Sequence, residues 1–171
     1  MEENNSSKKM ALISGLVLGL VLIVYNLLQD LLNIEGNILS GMVFFFLIVF
    51  GIYFLHGRYK KDNDGLMSYK KGFGMAMLMV LIAGVINFIY AYLMYAVIKP
   101  SLVQEMYEET LTIYENAGMD DQTMEIMVST MDMVINPLGL ALSTFFGLLF
   151  WGLILSLIIT AFTKQNPEGE F

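Results

Sequence analysis

His56 is the only imidazole in the chain, and there is no cysteine to accompany it. Thiolate chemistry, disulfides and cysteine metal sites are therefore excluded, and a lone histidine at the end of an apolar run does not complete a zinc site. Asp62-Asn63-Asp64-Gly65 has the outline of a calcium loop, but the first ligand position falls on Lys60 and the twelfth on Lys71. A turn is the better reading. Gly72-Phe73-Gly74 lacks the preceding strand and third glycine of a dinucleotide-binding loop, so it reads as the tight start of a helix. Asp120-Asp121 has the charge to attract a divalent cation, yet the same residue type makes an ordinary helix cap. No serine stands with His56 and a carboxylate as a nucleophile and base would. The residues thus name no catalytic, cofactor-binding or metal-binding group, and the expectation is a protein that is not an enzyme.

A second set of residues carries packing chemistry. Gly15 and Gly19 form a G-x-x-x-G, and Gly139, Ser143, Gly147, Gly152, Ser156 and Thr160 follow one another at steps of four with a single step of five. Small residues let helix backbones approach closely where lipid supplies no hydrophobic drive. They make either a dimerisation face or the seams of the chain's own bundle, and the bundle is the more economical reading. Asn87 is the most polar residue near the middle of an apolar run, at about the depth of Ser143 and Thr144 on an antiparallel neighbour. Its amide is expected to face those two hydroxyls. Trp151 is expected in the core, Tyr90, Tyr92 and Tyr95 in an aromatic belt, and some of Phe44, Phe45, Phe46, Phe50 and Phe54 against lipid.

The elements that hold these residues are four apolar runs, about 10–28, 38–55, 72–98 and 138–160, none with an Asp, Glu, Lys, Arg or His. Each is long enough, at about 1.5 Å per residue, to cross roughly 30 Å of hydrocarbon as a helix. Composition agrees: 57% of the residues are hydrophobic and only 15% charged, against about a quarter charged in soluble domains. The fold class is all-α: a polytopic integral membrane protein, a single domain built as a four-transmembrane-helix bundle. The first run is longer than a signal-peptide core and no small-residue cleavage pattern follows it, so it reads as a retained span.

Eight of the nine basic residues flank the runs on one side. Lys8 and Lys9 precede the first, Arg58, Lys60, Lys61, Lys70 and Lys71 fill the 56–71 loop, and Lys164 follows the fourth. That asymmetry predicts both termini in the cytoplasm. The short 29–37 connection, with Asp30 and Glu35, then lies outside. So does residues 100–136, where eight carboxylates face Lys99 alone. Pro100 suits a helix start; Val103, Tyr107, Leu111 and Tyr114 recur at helical spacing; Gly118 is a stop. Asp120 or Asp121 then caps a second helix with Met124, Met127, Val128, Met131 and Ile135 on one face, and Asn136-Pro137 breaks it. The expectation is a short extracytoplasmic helical hairpin between the third and fourth spans. It is too small for a core of its own, so Tyr107, Tyr114, Met124, Met127 and Met131 form a possible partner surface. No basic face beyond the membrane-flanking cluster offers itself to nucleic acid.

The layout resembles the bacterial domain-of-unknown-function 4199 family (DUF4199) of small membrane proteins. The resemblance rests on Ser68-Tyr69-Lys70-Lys71-Gly72-Phe73, Lys99-Pro100 closing the third span, Asn136-Pro137, and the run from Gly152 to Ile158. It implies a four-helix protein of a bacterial inner membrane, with no established activity and no functional residues to carry over. The expected partners are membrane lipid and either a second copy or an envelope protein. The expected role is structural or interactive, with a transport or channel subunit as the alternative and a lipid-active enzyme third.

Overall fold

A computed structural model describes residues 2–32, 34, 37–118 and 120–165. Among them are six α-helices and no strand: α1 (Glu2–Leu32), α2 (Ile38–Lys61), α3 (Tyr69–Leu93), α4 (Ser101–Asn116), α5 (Asp121–Val134) and α6 (Pro137–Thr163). Four stretches are long and apolar enough to span a bilayer: Asn5–Leu32, Ile38–Lys61, Tyr69–Ile98 and Pro137–Thr163. The expected spans are all present, each extended by up to a turn or two of flanking residues. Glu35 lies outside the described residues.

Helix ends follow local chemistry. Asn37 caps α2 by accepting from the Leu39 amide at 3.0 Å, and Tyr25 donates to the Ser40 carbonyl at 2.7 Å, tying α1 to α2. At the far end of α2 the expected turn forms: Asp64 and Gly65 adopt positive φ (51° and 83°), and the Gly65 amide returns to the Lys60 carbonyl at 2.8 Å. The third span ends in a π-helical turn, Met94–Ile98, closed by the Lys99 amide on the Met94 carbonyl at 2.8 Å.

The chain divides into two compact units, Met1–Asn87 with Gly147–Phe171, and Phe88–Phe146. In the first, α1, α2, the first part of α3 and the last part of α6 surround a core that includes Leu22, Ile48, Ile52, Leu55, Met79 and Val80, all inaccessible. Alanines share this interior with the aliphatic residues, and several phenylalanines stand outside: Ala11, Ala76 and Ala83 are fully buried, whereas Phe46, Phe50 and Phe162 are 65%, 68% and 86% exposed. Lipid tails are as apolar as leucine, so nothing drives a large side chain inward. Close backbone approach decides instead.

In the second unit α4 and α5 pack on each other. Gly118 takes positive φ (64°) just past α4, and Asp120 caps α5 by accepting from the Thr123 amide at 3.0 Å and hydroxyl at 2.7 Å. Those bonds hold the Asp120 carboxyl below its usual range, Thr123's hydroxyl contributing most. Val103, Tyr107, Leu111 and Tyr114 are half-buried, as are Met124 and Met127, and Met131 is 3% exposed. Tyr107 donates to the Asp132 carboxylate at 3.1 Å, which pushes the phenol above its ordinary value. Asn136 ends the pair, accepting from the Gly139 amide at 2.9 Å ahead of Pro137 and α6.

Candidate functional site

The functional groups of the first unit meet around His56. Because α2 runs on to Lys61, the imidazole lies within the helix, one turn beyond Ile52 on its inward face, and is fully buried. The segment from this residue to Lys61, expected as loop, is the last part of the helix. Its Nε2 lies 3.0 Å from the Gly72 carbonyl at the start of α3, and its Nδ1 lies 2.8 Å from the Thr163 hydroxyl at the end of α6. One side chain thus joins three helices.

Gly72 makes the approach possible. A Cβ there would stand 2.9 Å from Met67 Cε and 3.0 Å from Thr160 Cγ2. The loop before it is pinned to the end of α6 by a two-way backbone bridge, Met67 N to Gln165 O at 2.8 Å and Gln165 N to Met67 O at 2.9 Å. Tyr59, buried one turn past His56, carries the Lys71 ammonium 5.9 Å from its ring centroid.

The proton inventory of this node is constrained. Nε2 faces a carbonyl and so donates. Thr163 can give its single proton to Nδ1, leaving the ring neutral, or to the Ile159 carbonyl at 2.8 Å, accepting from a doubly protonated ring. Both arrangements satisfy every group. Ser156 and Thr160, lower on the same face of α6, are completely buried, and neither hydroxyl has a hydrogen-bond partner among the described residues. Thr163 and His56 have the spacing of a nucleophile and base, but among the described residues the ring nitrogens face a carbonyl and this hydroxyl rather than a carboxylate, and the clefts near α1 and α2 are lined by other residues. Among the described residues no group of three His, Asp or Glu is placed to hold a metal ion.

The packing residues fall into two sets. Gly15 and Gly19 press on α3: a Cβ at Gly15 would lie 2.7 Å from the Met79 carbonyl oxygen and 2.8 Å from Ile82 Cβ, and one at Gly19 2.9 Å from Ile86 Cδ1. Gly152 meets Val80 even more closely, and Gly139 sits against the Val134 carbonyl where α5 turns into α6. Gly147 has open space around it, and Ser143 is exposed.

Asn87 corrects an expectation. Its amide donates to the Gly19 carbonyl of α1 at 3.3 Å and to Ala83 at 2.9 Å, not to the hydroxyls of α6. Ser143 and Thr144 donate to the Gly139 and Leu140 carbonyls four residues back. A glycine carbonyl with no side chain beside it is the more accessible acceptor, and helix hydroxyls satisfy themselves locally. Trp151 is a second correction: it is 43% exposed, set edge-on to Phe45 at 4.9 Å and to Phe150 at 5.5 Å. Thr163 escaped notice because it lies just beyond the apolar run. Its position seven residues after Ser156 and three after Thr160 was the available signal.

A family model described as "Protein of unknown function (DUF4199)" matches residues 9–165. No curated protein and no solved structure matches the chain.

Proposed function

Because the chain belongs to the DUF4199 family, whose description assigns no activity, we propose from its own residues that it is a membrane-embedded interaction protein, neither an enzyme nor a solute carrier. Charge segregation carries the reading. The second unit holds eight carboxylates against Lys99, whereas the first balances eight acids with eight bases. Beside those carboxylates, Ile113, Ile126 and Met133 are 65%, 59% and 72% exposed. Acidic groups around apolar anchors suit a basic protein surface of the envelope. Of the expected partner-surface residues, Tyr107, Tyr114, Met124 and Met127 are half-buried and Met131 is 3% exposed, and Tyr107 ties α4 to α5 through Asp132. The filled interior at Leu22, Ile48, Ile52 and Met79 weighs against a solute path through one chain.

Deleting Ser101–Met133 is expected to remove co-purifying protein from a mild-detergent preparation while the remaining chain stays in the membrane. Native mass spectrometry would read the change; identical partners and stoichiometry would defeat the reading.

The lysine and arginine distribution supports cytoplasmic termini, and the family resemblance implies a bacterial inner membrane. With no native cysteine, single-cysteine labelling tests this directly. An impermeant maleimide should label Gln122→Cys in cells with a permeabilised outer membrane, and Ser6→Cys only after lysis. The reverse pattern would invert the topology.

A further inference from the structure

Between α1 and α2 runs an apolar groove of about 370 Å³ with a single cation at one end. Its α1 wall is built from Ile13, Val17 and Val21, one helical stripe, and its α2 wall from Leu47, Phe50 and Phe54, with Arg58 closing the row. Gly51 lies opposite Leu18, 3.4 Å from its Cδ1 in Cβ terms, and leaves the floor open. Phe50 and Phe54 stack at 6.4 Å and stand as the raised edge, each more than half exposed. From Leu47 to Arg58 the helix rises about 16 Å. That is close to half of the roughly 30 Å hydrocarbon thickness, the depth of one leaflet.

Groove length, wall chemistry and charge therefore agree on one occupant. The geometry points to an anionic glycerophospholipid from the leaflet on the basic side, with one acyl chain between α1 and α2 and its phosphate on the Arg58 guanidinium. A planar guanidinium matches phosphate oxygens in pairs. Arg58 is exposed where it lines the groove, within reach of an outside anion. A helix from a second copy would fill the apolar walls equally well but would bury the arginine without a counter-charge. A zwitterionic lipid brings the same phosphate but also a headgroup ammonium, which offsets the attraction to Arg58 and should bind less tightly.

The full chain, delipidated in mild detergent, would be titrated with phosphatidylglycerol and with phosphatidylcholine of the same acyl chains, and retained lipid counted by native mass spectrometry. Phosphatidylglycerol should be held about fivefold more tightly, the factor for one cation facing one anionic headgroup. Arg58→Gln should bring the two lipids to parity. Val17→Trp, at a position already 56% exposed, should weaken both by obstructing the groove without crowding the core. Gly51→Leu should do the same from the floor, and the Val17 variant decides the matter if that protein fails to fold.

A second cleft holds Lys8, Lys70 and Lys71, so Lys70→Gln with Lys71→Gln serves as the control and should keep the preference. Equal retention of both lipids by the unaltered protein would overturn the proposal. So would a preference that survives Arg58→Gln, one that disappears only with the lysines, or Val17→Trp leaving retention untouched while changing the oligomeric state.

Discussion

His56→Ala should be the most damaging single substitution in the first unit, lowering stability by about 3 kcal/mol. Truncating a fully buried ring leaves a cavity, an effect of about 2–5 kcal/mol for large core side chains. It also removes bonds to Gly72 and Thr163, worth roughly 1 kcal/mol each net. Part of this is recovered because Thr163 keeps its Ile159 carbonyl. For a chain of this length the thermal midpoint would fall by roughly 6–12 °C. Hydrogen exchange should quicken at the Met67 and Gln165 amides, which sit on the bridge beside the node. His56→Gln, with a donor and an acceptor still in reach, should lose less. An alanine variant with an unchanged midpoint and unchanged exchange would mean that the imidazole holds nothing together.

Gly15→Val should come close behind. The clash it creates is with the Met79 carbonyl oxygen, part of a helix backbone, and with Ile82 Cβ. Neither can swing aside as a flexible side-chain tip can, so α1 and α3 must separate. Overpacking of this kind costs about 1–3 kcal/mol and occasionally more. Separation would also draw the Gly19 carbonyl away from the Asn87 amide. Gly41→Val makes the paired control, because nothing lies within 4 Å of a Cβ at that position. It should shift stability by no more than about 0.5 kcal/mol. Denaturation in mild detergent reads both. If Gly15→Val instead left stability alone and changed the oligomeric state, the G-x-x-x-G would belong to a dimer contact and not to the bundle.

These two positions also show what the sequence makes legible. Span number, the Asn63-Asp64-Gly65 turn, the Asp120 cap, the Gly118 stop and the Asn136-Pro137 break all follow from local chemistry, where one residue's backbone preference decides. Which face of a span turns inward does not. A membrane helix is apolar all round, and hydropathy carries almost no contrast between a Phe50 meeting lipid and an Ile52 meeting protein. The glycine spacing is a partial exception: Gly15, Gly19 and Gly152 mark close helix contacts, whereas Gly147 does not. His56 was hidden by the same uniformity. It followed the last strictly apolar residue and so read as the start of a loop, although Ile48 and Ile52 precede it at steps of four on the inward face. Asn87 misled differently: its amide sought a main-chain carbonyl, which any residue supplies and no sequence pattern advertises.

The tight helix contacts at Gly15, Gly19 and Gly152 add a second class of intolerant position to the usual guide to mutational tolerance. In a water-soluble domain the bulky aliphatic and aromatic positions resist change and the small ones drift. Here exposed phenylalanine and leucine should exchange freely, while a methyl added at Gly15, Gly19 or Gly152 joins truncation of the buried core among the unforgiving changes. A ranking of substitutions calibrated on aqueous proteins would underrate the added methyl at Gly15, Gly19 and Gly152.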